Sequence, residues 1–405
     1  MTIGVGGSTA EIELAKLTDM TTDISPIDAV EFELRIKKAQ QLMAENDIAA
    51  LYLNAGTNLY YFTGTRWYAS ERMVGAIITQ EGGIHYIVPH FEIDSIQLYM
   101  TITGEIHSWH EHESPYQLTV DVLKGLGITQ GKIAIDESTA FFMADGIKQA
   151  NPELYLIDAK VISANCRSQK STNEIALLQR AKDMTMVVHR AVAKILYQGI
   201  TTKEVVHFIN QAHIKLGAPA GSYFCIVLFG KDSSYPHGVK SPKTLENNDI
   251  VLIDTGCQVQ GYNSDITRTY VFGDANPKQR KMWQIEKDAQ LAAFNAAQLG
   301  LPCGDVDTAA REYLASEGLG PDYQTPGCPH RTGHGVGLDI HEWPYLVSSD
   351  RTPLAVGMAF SNEPMLVIPG EFGVRLEDHF YMTNNGPKWF SEPSHSIDDP
   401  FGYNA

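Results

Sequence analysis

Short apolar runs alternate with segments of helical periodicity along the first part of this 405-residue chain, and this alternation constrains the fold most strongly. From Ile27 to Asn46 apolar side chains recur every three to four residues, as on one face of a helix, and the apolar run Ile48–Leu53 follows. Further strands are predicted at Val74–Thr79, Ile84–Val88, Lys132–Ile135 and Leu154–Ile157, and further helices at Leu118–Leu126 and Phe141–Ala150. Strands that alternate with helices predict an α/β domain, which we place at residues 1–165, with residues 1–27 as an irregular arm.

The pattern changes near residue 166, where two capping boxes follow each other. In Ser171–Glu174 and Thr201–Glu204 a hydroxyl is expected to accept from the third helical amide while the glutamate reaches back, so each segment predicts the start of a helix. Further helices are predicted at Pro277–Leu299 and Val306–Glu317, and strands at Phe224–Phe229, Ile250–Val259, Tyr262–Phe272, Met358–Asn362, Met365–Ile368, Gly373–Leu376 and Phe380–Thr383. We therefore predict a second domain, of the α+β class, at residues 166–405.

The composition argues against several classes of protein. The net charge of -17 makes general nucleic-acid binding a poor candidate, because that binding depends on Lys and Arg against phosphates. The sequence has no run of about 18 apolar residues and no basic start with an apolar core at its N-terminus, so we expect neither a membrane span nor a secretory signal. The five cysteines show no CxxC spacing, which argues against a disulfide framework or a zinc ribbon and favours reduced thiols in a cytoplasmic protein.

One strand–turn–strand segment carries two acids. The apolar run from Ile250 ends in Asp254, a turn is predicted near Gly261, and Asp265 lies at the start of the next strand. A hairpin at this turn brings the two carboxylates side by side, where they repel each other unless a cation or a proton joins them. In the alternative interpretation one acid caps the turn and the other is solvated, and this segment alone does not decide between the two.

A histidine and two more acids follow downstream. His334 lies between two glycines, which allow close approach of the backbone and leave the ring accessible, and His341 follows seven residues later. Glu363 and Glu377 each lie at the end of an apolar strand. Four carboxylates with one imidazole suit divalent ions such as Mn, Co, Fe or Zn. Two such ions about 3.5–4 Å apart can share a hydroxide and activate it for attack on an amide.

In combination and in order, these fragments resemble the motifs of the proline-peptidase family, which includes prolidase, aminopeptidase P, methionine aminopeptidase and creatinase. The motifs are Asp254-Thr-Gly256, Ser264-Asp-Ile-Thr-Arg-Thr269, Gly333-His-Gly-Val-Gly337, Asn362-Glu-Pro364 and Arg375-Leu-Glu-Asp378. The resemblance covers residues 167–385, and Asn58–Gly64 extends it to the N-terminal domain of the two-domain members. It implies the pita-bread fold for the catalytic domain and is strongest to short bacterial Xaa-Pro dipeptidases.

The resemblance also implies a set of metal ligands. Five positions match ligands of the active members, namely Asp254, Asp265, His334, Glu363 and Glu377. By this match they hold two divalent ions, Mn, Co or Zn. Asp265 and Glu377 bridge both ions, and Glu363 is the general base or proton shuttle.

Four further residues concern the substrate. By resemblance, His237 lies near the scissile bond, His341 contacts the substrate carbonyl, and Arg375 helps to orient the site. Some prolidases carry an arginine four residues after the second histidine, where it holds the proline carboxylate. Tyr345 stands at that position here, and it donates one hydrogen bond but brings no charge. Either another cation holds the carboxylate, or the requirement for a dipeptide is weaker.

The leading hypothesis is a metal-dependent Xaa-Pro dipeptidase that acts on short peptides, as a homodimer, without nucleic-acid or membrane partners. An Xaa-Pro aminopeptidase is the nearest alternative. Other members of the family with this fold hydrolyse ectoine or cleave dimethylsulfoniopropionate, and some pita-bread domains only bind partners. The presence of all five ligands argues against a pure binding module and against the metal-free creatinase type.

Overall fold

The computed structural model describes residues 2–404, which form two compact units. One unit is Pro26–Arg167, and the other contains the rest of the described chain. The arm before Pro26 belongs to the second unit, because backbone amides of the arm donate to carbonyls there, such as Gly6 N to Ala193 O at 2.9 Å. The arm also contains a short helix, α1 (Ala10–Ala15), begun by the side chain of Thr9. The units therefore differ from the predicted limits 1–165 and 166–405 mainly at the N-terminal arm.

The first unit is one mixed sheet with helices. Its helices are α2 (Ala29–Glu45), α3 (Thr57–Thr63), α4 (Ile93–Gln97), α5 (Pro115–Gly125), α6 (Phe141–Ala150) and α7 (Lys160–Ser168). Its strands are β1 (Ile48–Asn54), β2 (Gly75–Thr79), β3 (Ile84–Pro89), β4 (Glu105–Trp109), β5 (Gly131–Ile135) and β6 (Leu154–Asp158), in the order β4-β3-β2-β1-β5-β6. The pairs β3–β4, β1–β5 and β5–β6 are parallel, and β1–β2 and β2–β3 are antiparallel. The predicted α/β class is confirmed.

The core of this unit follows from alternation along the strands. Side chains two residues apart point to the same face of a sheet, so Ile133 and Ile135 lie on one face of β5. They pack in one buried cluster with Val120 and Leu123 of α5 and with Ile147 of α6. Burial of this apolar surface is the main source of the unit's stability.

The second unit contains the remaining helices and strands. The helices are α8 (Thr172–Lys194), α9 (Thr202–Lys215), α10 (Pro277–Ala296) and α11 (Cys303–Ser316). The strands are β7 (Phe224–Phe229), β8 (Ile250–Gly256), β9 (Gln258–Val259), β10 (Tyr262–Asn263), β11 (Ile266–Val271), β12 (Gly333–Gly335), β13 (Glu342–Leu346), β14 (Ala359–Asn362), β15 (Met365–Ile368), β16 (Phe372–Arg375), β17 (Asp378–Thr383) and β18 (Gly386–Trp389). Both predicted capping boxes are present at the starts of α8 and α9. The predicted α+β class is confirmed.

Two of its sheets position the candidate site. One has the order β11-β8-β7 and the other β13-β12-β14-β17-β18. Helix α10 anchors the first of them, since Trp283 is buried and donates from Nε1 to Thr269 O at 2.8 Å. Within residues 2–404, the helices are all too short or too polar to cross a membrane.

Candidate metal centre

The predicted hairpin is present and brings the two acids to one face. Strands β9 and β10 form its tip, where Gln260 and Gly261 both have positive φ, as a two-residue type I′ turn requires. Below the tip, β8 and β11 pair so that Asp254 lies opposite Thr267. Asp265 lies two residues before Thr267 and therefore shares its face, diagonal to Asp254. The alternative with one acid solvated is wrong, because both are buried.

The other two acids come from neighbouring strand ends. Asn362 of β14 pairs with Asp378 of β17, so Glu363 directly follows one strand and Glu377 directly precedes the other. Thr267 ties Glu377 to the hairpin, because its hydroxyl donates to Glu377 Oε2 at 2.8 Å and its carbonyl accepts from Glu377 N at 3.1 Å. The strand ends of the two sheets are therefore joined at the carboxylates.

His334 enters this cluster from β12. The strand passes so close to β14 that a Cβ on Gly333 would lie 2.1 Å from the carbonyl oxygen of Ser361, which explains the glycine. The backbone amide of His334 donates to Ser361 Oγ at 2.9 Å. His334 Nε2 then lies 3.0 Å from a carboxylate oxygen of Glu363 and 3.7 Å from one of Asp265.

Metal-capable atoms converge here in three overlapping groups, and within each group they lie within 4.8 Å of one another. The groups are Asp265 with His334 and His341, Asp265 with Glu377 and His379, and His334 with Glu363 and Glu377. Asp254 joins the cluster through Arg375, whose Nη2 donates to Asp254 Oδ2 at 2.5 Å. The structure thus brings together all five residues expected to be ligands.

Unpaired atoms in this cluster test whether it fits a cation. His334 Nδ1 lies 3.0 Å from the carbonyl oxygen of Gly335, which can only accept, so Nδ1 donates there and Nε2 is the nitrogen that faces the carboxylates. Within the described chain, Asp254 Oδ1 and Glu377 Oε1 are buried without a hydrogen-bond partner, and the buried His334 Nε2 faces the carboxylates of Glu363 and Asp265. Burial of such atoms is costly unless something compensates them. All three are ligand atoms for divalent metals, so the donor set fits metal ions.

The electrostatics of the acids lead to the same conclusion. Burial raises the pKa of Asp265 and Glu377 well above the ordinary range, and the neighbouring carboxylates raise it further. The pKa of Asp254 is also raised by burial, although Arg375 opposes the shift. Burial acts in the same direction on Glu363, but its contact with His334 lowers its pKa to about 2. Added positive charge would allow the whole set to ionise.

The residues expected to contact the substrate differ in how closely they approach this cluster. The ring of His341 is exposed, and its centre lies 4.2 Å from the ring centre of His334. Partial desolvation by the surrounding residues and the neighbouring His334 lower the pKa of His341 to about 4. Arg375 also donates from Nη1 to the carbonyl of Pro236 at 3.3 Å, one residue before His237. His237 itself is exposed and lies close enough to His341 to contribute to the lowering of its pKa.

Tyr345 is accompanied by a cation that the sequence analysis missed. Strand β13 pairs with β12 so that Tyr345 lies opposite His334. The guanidinium carbon of Arg331 lies 4.2 Å from the centre of the Tyr345 ring, in cation–π geometry. Arg331 also lies close enough to lower the pKa of His341. The sequence offered one signal for Arg331, namely its position three residues before His334.

Two buried residues behind the acids were also missed. His379 is fully buried, and its Nε2 lies 3.6 Å from Glu377 Oε1. Lys182 of α8 is fully buried, donates to Asn263 O at 3.1 Å, and has its pKa lowered to about 7 by burial. His379 could have been suspected because it lies two residues after Glu377, whereas Lys182 had no such signal in the sequence.

This fold and donor set define a two-domain metallopeptidase, and comparison with known proteins agrees. Residues 176–384 match metallopeptidase family M24, and residues 35–169 match the creatinase/prolidase N-terminal domain. The chain therefore belongs to metallopeptidase family M24 and has its pita-bread catalytic fold.

Similar proteins narrow the class further. A Bacillus subtilis (strain 168) protein, YkvY, which is provisionally described as a dipeptidase, is 32% identical over 87% of this chain and 96% of its own length. The dipeptidase PepE from Mycobacterium ulcerans has a TM-score of 0.85 at 30% identity, covering 92% of this chain and 99% of its own. The Xaa-Pro dipeptidase from Bacillus anthracis has a TM-score of 0.78 at 26% identity, covering 90% and 99%. Together these relationships identify a peptidase.

Proposed function

We propose that this protein hydrolyses the Xaa-Pro bond of short peptides, preferably dipeptides, with two divalent metal ions. The observation that carries the proposal is the convergence of buried ligand atoms, namely the unpaired Asp254 Oδ1 and Glu377 Oε1 together with His334 Nε2. The similarity to dipeptidases, one of them described as an Xaa-Pro dipeptidase, supports the substrate class. The homodimer, the cytoplasmic location and manganese as the metal remain predictions.

The residues that hold the ions in this proposal are Asp254, Asp265, His334, Glu363 and Glu377. Divalent ions bound there would polarise the scissile carbonyl and lower the pKa of a water molecule to about 7. By the resemblance to the family, Asp265 and Glu377 would be the carboxylates shared between the two ions, and each of them lies in two of the converging groups. Arg375 holds Asp254 in place, since its guanidinium binds one carboxylate oxygen and leaves the other unpaired.

In this proposal Glu363 carries out the proton transfers. Its low pKa keeps it ionised near neutral pH, and Ser361 Oγ donates to its Oε1 at 3.1 Å, which fixes the carboxylate. It accepts the proton of the attacking water and passes it to the proline nitrogen, which leaves as a secondary amine. His341 is neutral because its pKa is lowered, so its ring can donate a hydrogen bond to the substrate carbonyl. His237 approaches the scissile bond on the same side.

Recognition of the dipeptide carboxylate is assigned to Arg331 with Tyr345. The tyrosine ring holds the guanidinium by cation–π contact, and the guanidinium supplies the charge that Tyr345 lacks. An Xaa-Pro bond has no N–H group, so the site must recognise the ring and the carboxylate instead of that donor. Arg331 therefore favours a dipeptidase over an aminopeptidase.

The experiment measures the alanine released by cleavage of the first peptide bond of Ala-Pro, Ala-Pro-Ala and Ala-Ala, before and after chelation and reloading with Mn, Co or Zn. Cleavage of Ala-Pro in the metal-loaded protein, with Ala-Ala much slower, is the expected result. The variant Glu363→Gln serves as the inactive reference. Glu371→Gln, an exposed glutamate paired with Lys278, is the matched control and should keep full activity. Equal rates on Ala-Pro and Ala-Ala would contradict the proline specificity, and preference for Ala-Pro-Ala would indicate an aminopeptidase.

A further inference from the structure

A second group of metal-capable side chains lies in the first unit, on its edge strand. Strands β3 and β4 are parallel, with His85 opposite Glu105 and Ile87 opposite His107. Residues two apart on a strand share a face, so His107 and Glu105 lie on one face of β4 next to His85 of β3. These three residues form a converging group of their own.

The distances within the group match a coordination site. His85 Nδ1 lies 3.2 Å from His107 Nε2 and 3.4 Å from Glu105 Oε2, and His107 Nε2 lies 3.8 Å from Glu105 Oε1. In a tetrahedral site with bonds of about 2.0–2.1 Å, neighbouring ligand atoms are about 3.3 Å apart. The distance between the two ring nitrogens, and the distance from each of them to one oxygen of Glu105, are close to this spacing.

The position of the group allows an ion to enter and keeps the ligands ordered. The side chains of His85 and His107 are mostly buried, at 12% and 21% exposure, whereas that of Glu105 is 66% exposed. The backbone ladder between β3 and β4 fixes the spacing of the three Cα atoms. Burial lowers the pKa of His107, which keeps this ring in the neutral form that binds metals.

We propose that His85, Glu105 and His107 bind one transition-metal ion of the Zn, Co or Ni class, separate from the candidate metal centre, with water completing the coordination. Two imidazoles and one carboxylate suit these ions better than Mg or Ca. The ion would join the edge strand β4 to its neighbour β3. The competing interpretation is a hydrogen bond between two neutral rings, with Glu105 beside them.

Crystals of the full chain soaked in Zn²⁺ would locate the ion by anomalous scattering at the zinc edge. The expected result is a peak bonded to His85 Nδ1, His107 Nε2 and Glu105. Peaks at the residues of the second unit report separately on the proposed catalytic metals, so the two proposals fail independently. A map without a peak between the two rings would overturn the site.

Counting ions gives an independent test in solution. After equilibrium dialysis against Zn²⁺, the variants His85→Gln and His107→Gln should each hold one ion fewer per chain than the wild type. His207→Gln removes an exposed histidine of α9 and should hold as many as the wild type. Circular dichroism checks that each variant is folded. The same ion count in wild type and in both cluster variants would contradict the metal site and favour the hydrogen bond between the two rings.

Discussion

Replacing Arg331 with glutamine is expected to raise the Michaelis constant for Ala-Pro while the turnover number changes little. The guanidinium stacks on Tyr345 beside His341 and offers a positive charge to the substrate carboxylate at this side of the site. A hydrogen bond to a charged group contributes about 1.5–3 kcal/mol. Arg331 is partly exposed, so the lower end of this range applies, which corresponds to about a tenfold change in binding.

The assay compares Ala-Pro with Ala-Pro amide, whose carboxylate is replaced by a neutral group. If Arg331 binds the carboxylate, its replacement weakens binding of Ala-Pro about tenfold and leaves binding of Ala-Pro amide unchanged. The ratio of the two Michaelis constants therefore isolates this contact. Arg351→Gln, an exposed arginine in the same unit, is the matched control. Tyr345→Phe keeps the ring under Arg331 and should change the constant less than threefold.

Two outcomes would refute this reasoning. If Arg331→Gln weakened binding of Ala-Pro and of Ala-Pro amide equally, the arginine would support the structure of β13 and would not bind the carboxylate. If Tyr345→Phe instead caused the tenfold loss, the hydroxyl of Tyr345 would hold the carboxylate. Tyr345→Arg would then be expected to lower the Michaelis constant.

Three other predictions follow from the site and its surroundings. Chelation should abolish peptidase activity, and Mn, Co or Zn should restore it; full activity without detectable metal by mass spectrometry would refute the assignment. Glu363→Gln should remove most of the turnover because an amide cannot accept the proton, and Asp265→Asn should also lower the metal content; activity within a few-fold of wild type in either would contradict its role. His213 has its pKa lowered to about 4 by burial, so stability should fall as the pH decreases from about 6.5 to 4, by up to about 3 kcal/mol from this residue. Urea unfolding midpoints measured across this range should vary less with pH in His213→Gln.

The sequence predicted those parts of the structure that depend on local chemistry. The boxes at Ser171 and Thr201 begin helices through bonds within four residues, and both helices are present. The acids Asp254 and Asp265 belong to one hairpin, whose register follows from its turn and its apolar face. Their burial could not be read from the hairpin alone, and the resemblance to the family supplied the rest of the ligand set.

Features that depend on distant contacts were not predicted. Strand β12 has only three residues, two of them glycines, and exists because it fits between β13 and β14. The stacking of Arg331 on Tyr345 depends on that pairing. The arm before Pro26 groups with the second unit through hydrogen-bond partners such as Ala193, which lie far along the chain and cannot be read from the arm itself. Strand β4 was missed as well, so the proximity of His107 to His85 could not be seen.

The charge balance of the metal centre links its stability to its activity. Asp254, Asp265, Glu363 and Glu377 contribute about four negative charges when ionised, and Arg375 offsets one of them. A net charge of about -3 in a buried cluster is costly without cations, which explains the raised pKa values of three of the acids. Two divalent ions would bring the balance to about +1, which favours an anionic nucleophile over neutral water. With both ions bound, the acids that destabilise the metal-free cluster would therefore hold a centre whose positive charge favours hydrolysis.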